Sequence, residues 1–396
     1  MKQYNIALFG AYINSTNLGC QALTYSLIST LENVSKSLEI ELIYNIFEYK
    51  PDKIKTKEMC MKLDVDETRV HTYRFVPLYR LGSYRYILSN MRMLNRIREC
   101  GLAIDITAGD SFSDIYGKER FISTSRIKKL IEFMGIPLIL GPQTYGPYYN
   151  NNNQNYAKKI FEKSYMIIAR DKISAQLVST LTGHKIQYTT DLAFQLPYLK
   201  RTRSDKKINV GINISGLLVG ERTEKGIERP LVLETDYDMY ICDVLNYLLC
   251  DDVYEVTLVS HVDEDMKACE KIHKKFPSTK IAPLFDNPID IKSYISGFDI
   301  FIGARMHATI ASFTSGVVTI PTAYSRKFSG LFDVINYKRI IDLQILSTEE
   351  AVERTIGFIS NYIEISKEVQ MALSVCDEYN NITNAFFSEA LSVLKK

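Results

Sequence analysis

Phe298-Asp299-Ile300-Phe301-Ile302-Gly303-Ala304-Arg305-Met306-His307-Ala308-Thr309-Ile310-Ala311-Ser312-Phe313 reads as a buried strand handing over to a helix. Residues 298–303 form a short, continuous apolar run, and the small residues of 308–313 suit a helix packed tightly against a sheet. A second handover follows at Tyr324-Ser-Arg-Lys327-Phe-Ser-Gly330. Arg305, His307 and Lys327 therefore stand where free backbone N–H groups and the positive end of the helix dipole favour an anion. Arg305 offers a bidentate fork for a phosphate or carboxylate, and His307 a proton at neutral pH. The plain alternative is a structural ion pair at Arg305 and a core histidine at 307.

Outward from this unit, strand-like and helix-like patterns alternate, the signature of an α/β protein with parallel sheets. One series runs through strands at 5–9, 40–47, 102–107, 137–140 and 166–169, with helices at 20–34, 125–134, 155–163 and 173–181. The polar, basic segment Lys200-Arg-Thr-Arg-Ser-Asp-Lys-Lys207 then breaks the pattern, and a fresh strand restarts it at 209–214. The second series continues with a helix at 237–249, a strand at 255–260, a helix at 266–276 and the opening unit, and 348–396 is helical. With 396 residues, more than one core usually supports, the expected organisation is two domains. Residues 1–200 form the first and 208–375 the second, with a terminal helix, 376–396, packing back on the first.

The chain carries 48 basic and 46 acidic side chains, a net charge of +2, which argues against a nucleic-acid partner and makes any anion site local. Seven cysteines lack CxxC spacing and fit a reducing cytoplasm. The first residues enter a strand without signal-peptide features, and no run of eighteen apolar residues offers a membrane span. A cytoplasmic protein is expected.

Two α/β domains bind ligands in the crevice at the carboxyl ends of their strands. The loops expected there are rich in unusual residues: Gly10–Gly19, Gly109-Asp-Ser-Phe-Ser-Asp114, Gly141-Pro-Gln-Thr-Tyr-Gly-Pro147, Arg170-Asp171, Asn213–Gly216 and His261-Val-Asp-Glu-Asp265. Each has an alternative reading in turn chemistry.

These motifs together resemble the polysaccharide pyruvyl transferase family. The resemblance spans about residues 5–335 and rests on Gly10 to Asn17-Leu-Gly19-Cys-Gln-Ala22, Gly109-Asp110, Gly141-Pro-Gln143-Thr-Tyr-Gly-Pro147, Ala169-Arg-Asp171 with Ser174, and Thr190-Asp191. In the second half it rests on His261, Gly303-Ala-Arg305-Met-His307-Ala and Tyr324-Ser-Arg-Lys327. Cys20 stands where many members carry an acid. The resemblance implies two Rossmann-like domains in a GT-B-like architecture with the active site in the interdomain cleft. It implies a bacterial transferase moving the enolpyruvyl group of phosphoenolpyruvate onto a sugar hydroxyl pair of a cell-surface polysaccharide, such as an exopolysaccharide, or of its lipid-linked precursor. A cyclic ketal and phosphate result, with no cofactor or metal.

That chemistry suits the residues. Phosphoenolpyruvate carries a phosphate and a carboxylate, so Arg305, Lys327 and Arg170 are expected to bind it. Protonation at C3 makes C2 electrophilic; His307 is the candidate acid and Asp110 the candidate base from the opposite domain. By the motif, Asn17, Gly19, Gln143, His261 and Tyr324 are further substrate-binding candidates. Asp110 has an alternative as a turn cap with Ser111 and Ser113, and Asp171 with Ser174 reads as a helix cap. The acids of 261–265 read as solvated residues entering a helix rather than metal ligands. Region 51–100 holds eleven Lys or Arg against six acids, with tyrosines interleaved. It reads either as a face for a glycan or lipid-linked acceptor at the inner side of the membrane, or as a helix pair covering the first sheet. Competing readings are a GT-B-like glycosyltransferase using a nucleotide sugar, and a non-catalytic family member.

Overall fold

Residues 1–75, 84–202, 206–219 and 232–395 are described by a computed structural model. Among the described residues the strands in chain order are β1 (Lys2–Phe9), β2 (Ile40–Glu48), β3 (Val70–Arg74), β4 (Leu102–Asp105), β5 (Leu138–Gln143), β6 (Met166–Ala169), β7 (Gln187–Tyr188), β8 (Ile208–Asn213), β9 (Tyr254–Val259), β10 (Lys280–Ile281), β11 (Ile300–Gly303), β12 (Val318–Ala323) and β13 (Ile341–Asp342). Among the described residues they form two sheets, ordered β3-β2-β1-β4-β5-β6-β7 and β10-β9-β8-β11-β12-β13. Every pairing is parallel. The protein is thus α/β with two Rossmann-like sheets.

Both faces of each sheet are covered, which explains the continuous apolar runs. In β1, Ile6 and Leu8 face one apolar cluster while Ala7 and Phe9 face another, the two-residue period of a strand buried on both sides. In each sheet the strand order reverses, between β1 and β4 and between β8 and β11, and the chain leaves a crevice at such a reversal. The loops after these four strands carry Gly10, Asp110, Gly216 and Arg305.

The two halves share one core. A single apolar cluster includes Leu23 and Leu31 of the first half, Phe194 after the first sheet, Ile310 and Phe313 of the second half, and Phe387 near the C-terminus. The rings of Phe194 and Phe313 lie 6.4 Å apart. Helix Tyr362–Ser392 packs on both β12 and helix Leu18–Ser37. Beyond it Lys395 Nζ donates to the Leu38 carbonyl at 2.6 Å. On the rim, helix Lys53–Leu63 meets residues 286–290: Lys62 pairs with Asp290 at 2.6 Å and Asn287 Nδ2 donates to Glu58 Oε1 at 2.7 Å. Exposed pairs of this kind contribute about 0–1 kcal/mol each, so the shared apolar cluster dominates the junction.

Some boundaries differ from expectation. The strand expected over 102–107 stops at Asp105, because Thr107, Ala108 and Gly109 take left-handed backbone angles with φ of 40°, 51° and 85°. Region 51–100 holds the edge strand β3 between its helices Lys53–Leu63 and Tyr84–Arg98. Its alternation, Val-His-Thr-Tyr-Arg, buries only one residue fully and leaves little hydrophobic signal. The expected acceptor-side residues Tyr79 and Arg80 lie outside the described residues, as does the side chain of Arg85. The helical region 348–396 is two main helices, Thr348–Ser360 and Tyr362–Ser392, the first opened by a capping box between Ser347 and Glu350.

Candidate active site

A cavity of about 450 Å³ opens between the halves, lined by Asn17, Cys20, Asp110, Tyr116, Arg120 and Arg170 from the first and by His261, Arg305, His307 and Tyr324 from the second, among others. Its first wall is set by the turn after β4. A β-carbon on Gly10 would lie 2.3 Å from the Thr107 backbone nitrogen, so only glycine admits this approach. Left-handed angles are costly for a β-branched threonine. Here Thr107 is tied down: its hydroxyl hydrogen-bonds to the Asp105 carboxylate and accepts from the buried Lys128 ammonium at 2.8 Å, and Lys128 also pairs with Asp105 at 3.0 Å. The turn delivers Asp110 to the cavity, where Tyr116 donates its hydroxyl to Oδ2 at 2.7 Å. Burial first, and Asp110 second, push the Tyr116 phenol upward, so it remains a donor at neutral pH.

Arg170 follows β6 and is 2 % exposed. Its Nη1 pairs with Asp191 Oδ2 at 2.6 Å and its Nε donates to the Thr144 hydroxyl at 2.8 Å. The remaining amino group, Nη2, is buried at the cavity wall with no hydrogen-bond partner among the described residues. Such a group is costly unless a ligand satisfies it. Gly109 permits the approach, since a β-carbon there would come within 3.0 Å of Arg170 Nη1.

The second wall is the β11 handover. Arg305 is the residue before helix Met306–Phe313, with its backbone N–H bonded to Asn213 Oδ1 at 2.8 Å. Its Nη2 and Nε bind Asp265, the closer contact at 2.7 Å, and Asp265 is fully buried. This corrects the reading of 261–265 as solvated acids at Asp265 alone, since Asp263 and Glu264 are exposed at the helix start. Helix Asp263–Lys275 starts at that run, and its Asp265 turns inward, accepting from Gly216 N at 2.8 Å as well. Arg305 is therefore a held cation at the cavity wall.

His261 is buried beside it. Burial, then the neighbouring His307 and Arg305, pull its imidazole down to about 3, so His261 is neutral near pH 7. His307 reaches across the junction: its Nε2 lies 4.0 Å from Asp191 Oδ1, and a β-carbon on Gly19 would sit 2.3 Å from its Nδ1. Asn17 caps helix Leu18–Ser37 by accepting from Gly19 N at 2.9 Å, and its backbone bridges to Val262 of the second half. Asn17 thus orders the loop that carries Gly19 while its own edge lines the cavity. Cys20 also lines it, but burial first and Asp110 second push its thiol to about 12, leaving it without nucleophilic character.

Tyr324 lies against Phe328, ring centroids 5.5 Å apart, at the cavity wall. Lys327 is in the next helix, Arg326–Val334, with its side chain outside the described residues. Gln143, the last residue of β5, is fully buried, donates to the Asp105 carbonyl at 3.0 Å and is not among the residues lining this cavity. Asp171 caps helix Lys172–Thr182 through Ser174 N at 2.7 Å. Asp191, Tyr116 and Arg120 went without roles in the sequence reading, and of these three Asp191 had a signal, within Thr190-Asp191; Asp265 had one in the 261–265 run but was given a solvated place. Arg120 faces the cavity with its guanidinium 4.6 Å from the Tyr116 ring centroid. Among the described residues, no three His, Cys, Asp or Glu side chains are grouped to hold a metal ion, and no helix is long and apolar enough to cross a membrane.

A family model for polysaccharide pyruvyl transferase matches residues 17–326. A search of curated proteins gave no match. Among solved structures, UDP-GlcNAc 2-epimerase from Neisseria meningitidis bound to UDP-GlcNAc is similar with a TM-score of 0.58 at 8% identity, covering 100% of each chain. The UGT73P12 protein of Glycyrrhiza uralensis, complexed with glycyrrhetinic acid 3-O-monoglucuronide, has a TM-score of 0.58 at 8% identity, covering 99% of this chain and 96% of its own. At such identity these likenesses establish the fold, a GT-B-like pairing of two Rossmann-like domains.

Proposed function

The chain belongs to the polysaccharide pyruvyl transferase family, and from that premise we propose that it moves the enolpyruvyl group of phosphoenolpyruvate onto two hydroxyls of one sugar in a cell-surface glycan or its lipid-linked precursor. The observation that carries this reading is the buried, unpartnered Nη2 of Arg170, in the same cavity wall as Arg305 and His307. A donor with two anionic groups on a three-carbon frame suits cations supplied from two sides. Arg170 from the first domain takes one group, and Arg305 with the helix end takes the other.

His307 then gives its proton to C3 of the enol, and a sugar hydroxyl attacks the cationic C2, losing its own proton to a base. Asp110 is that base. The second hydroxyl displaces phosphate from C2, giving its proton to the now neutral His307 and closing the ketal, and the C–O bond to phosphate breaks with its electron pair leaving on the phosphate. The protein contributes by holding ions it has already desolvated and by placing an acid and a base on opposite walls.

The test is incubation with phosphoenolpyruvate and a panel of glycans and lipid-linked oligosaccharides. Phosphate release with a pyruvyl mass gain on the acceptor is the expected result. Nucleotide release from a nucleotide sugar, without turnover of phosphoenolpyruvate, overturns it in favour of a glycosyltransferase.

A further inference from the structure

Asp191 lies between the two groups that matter most in the cavity. Its side chain is fully buried. One oxygen, Oδ2, holds Arg170; the other, Oδ1, accepts the Ala193 backbone N–H at 2.8 Å and faces His307 Nε2 at 4.0 Å. The distance is too long for a hydrogen bond but within ion-pair reach. The carboxylate belongs to the first domain and the imidazole to the second, and they meet because Gly19 presents no side chain to the ring. The cap to Ala193 N and the single bond from Arg170 Nη1 fix the carboxylate from two directions.

We propose that Asp191 is a positioning residue for His307: its buried carboxylate holds the imidazole across the domain junction and favours the proton-carrying form in which His307 acts as an acid. The inference rests on the reading of His307 as that acid. The charges around the ring explain why an anion is needed. From the second domain, Arg305 carries a positive charge that opposes a second cation, while His261, neutral near pH 7, lies nearby and adds none. From the first domain, Arg170 and Arg120 add positive charge at the cavity wall, and Asp110 is the other carboxylate there, already bound by Tyr116. Among the described residues, Asp191 is a carboxylate set against the ring itself. Donor binding strengthens the effect: once an anionic group satisfies Arg170 and Arg305, the opposing positive field is neutralised and the attraction of Asp191 remains.

The experiment titrates His307 by NMR in histidine-labelled protein, with its signal assigned through His307→Gln, alongside the pH dependence of phosphate release. In Asp191→Asn, His307 is expected to lose its proton about one pH unit or more below the wild type, and the alkaline limb of the rate profile is expected to move down with it. Asp191→Glu, which keeps the charge, is expected to titrate near the wild type with a reduced kcat. If Asp191→Asn fails to fold, Asp191→Glu and the wild type carry the test: a His307 that titrates in both like a free imidazole overturns the proposal. An unmoved titration in folded Asp191→Asn also overturns it, even where His307 is the acid. Full turnover in His307→Ala sinks the acid assignment itself while leaving the titration to be read.

Discussion

Gly19 and His307 touch across the domain junction so closely that a β-carbon on Gly19 would lie 2.3 Å from the imidazole Nδ1. No side chain intervenes, so the glycine sets the position of the ring. Gly19→Ala is expected to push the imidazole from its place and to lower turnover on the order of a hundredfold, with a much smaller effect on donor affinity. Steady-state phosphate release and calorimetric titration with phosphoenolpyruvate check it. Wild-type turnover would show that the ring works from elsewhere.

His307 and Arg305 are expected to separate chemistry from binding. His307→Ala is expected to lower kcat by roughly 10²–10⁴ while leaving much of the donor affinity. Arg305→Ala is expected to raise KM for the donor more than it lowers kcat. The reverse pattern would exchange their roles.

Asp265 is buried with the Arg305 guanidinium as its partner. Asp265→Ala leaves that cation without its carboxylate and Gly216 N without an acceptor, so a loss of roughly 3–5 kcal/mol in stability is expected. The double variant Asp265→Ala/Arg305→Ala is expected to recover part of it, since the uncompensated charge is gone. Urea unfolding of the four proteins gives the comparison, and strict additivity would mean that the pair contributes no coupling.

Lys292 is buried, with Nζ donating to the Leu196 carbonyl at 2.8 Å, and burial pulls its amine down to about 7. Between about pH 7 and the ordinary lysine value the unfolded chain holds a proton that the folded chain does not. Unfolding therefore takes up a proton in this window, and this group's contribution makes stability rise with pH through it. Lys292→Met is expected to flatten that rise. Denaturant melts of both proteins at pH 7 and pH 9.5 measure it, and identical slopes would show that the amine stays charged when folded.

The legible parts of the site were those encoded locally. The strand-to-helix handover at 298–313 placed Arg305 and His307 from apolar patterning and small residues alone, and β11 with helix Met306–Phe313 stands there. Gln143 is buried at the end of β5 rather than in the cavity wall, because the direction of a side chain near a strand end follows from register, which pairing with neighbouring strands decides. Asp265 was misread because its acidic run suits a solvated helix start; the partner that buries it, Arg305, arrives from 40 residues away.

The sequence by itself determined two α/β units, their parallel sheets and the loops that gather at their carboxyl edges. Each of those follows from periodicity, turn residues and helix ends within a few residues of chain. The tertiary structure alone decided which charged groups are spent and which remain for a ligand. Asp265 holds Arg305, Asp191 holds Arg170 and faces His307, and Nη2 of Arg170 is left over. Those outcomes depend on how two domains meet over Gly19, and the strength of each pairing depends on burial that no local stretch of sequence encodes.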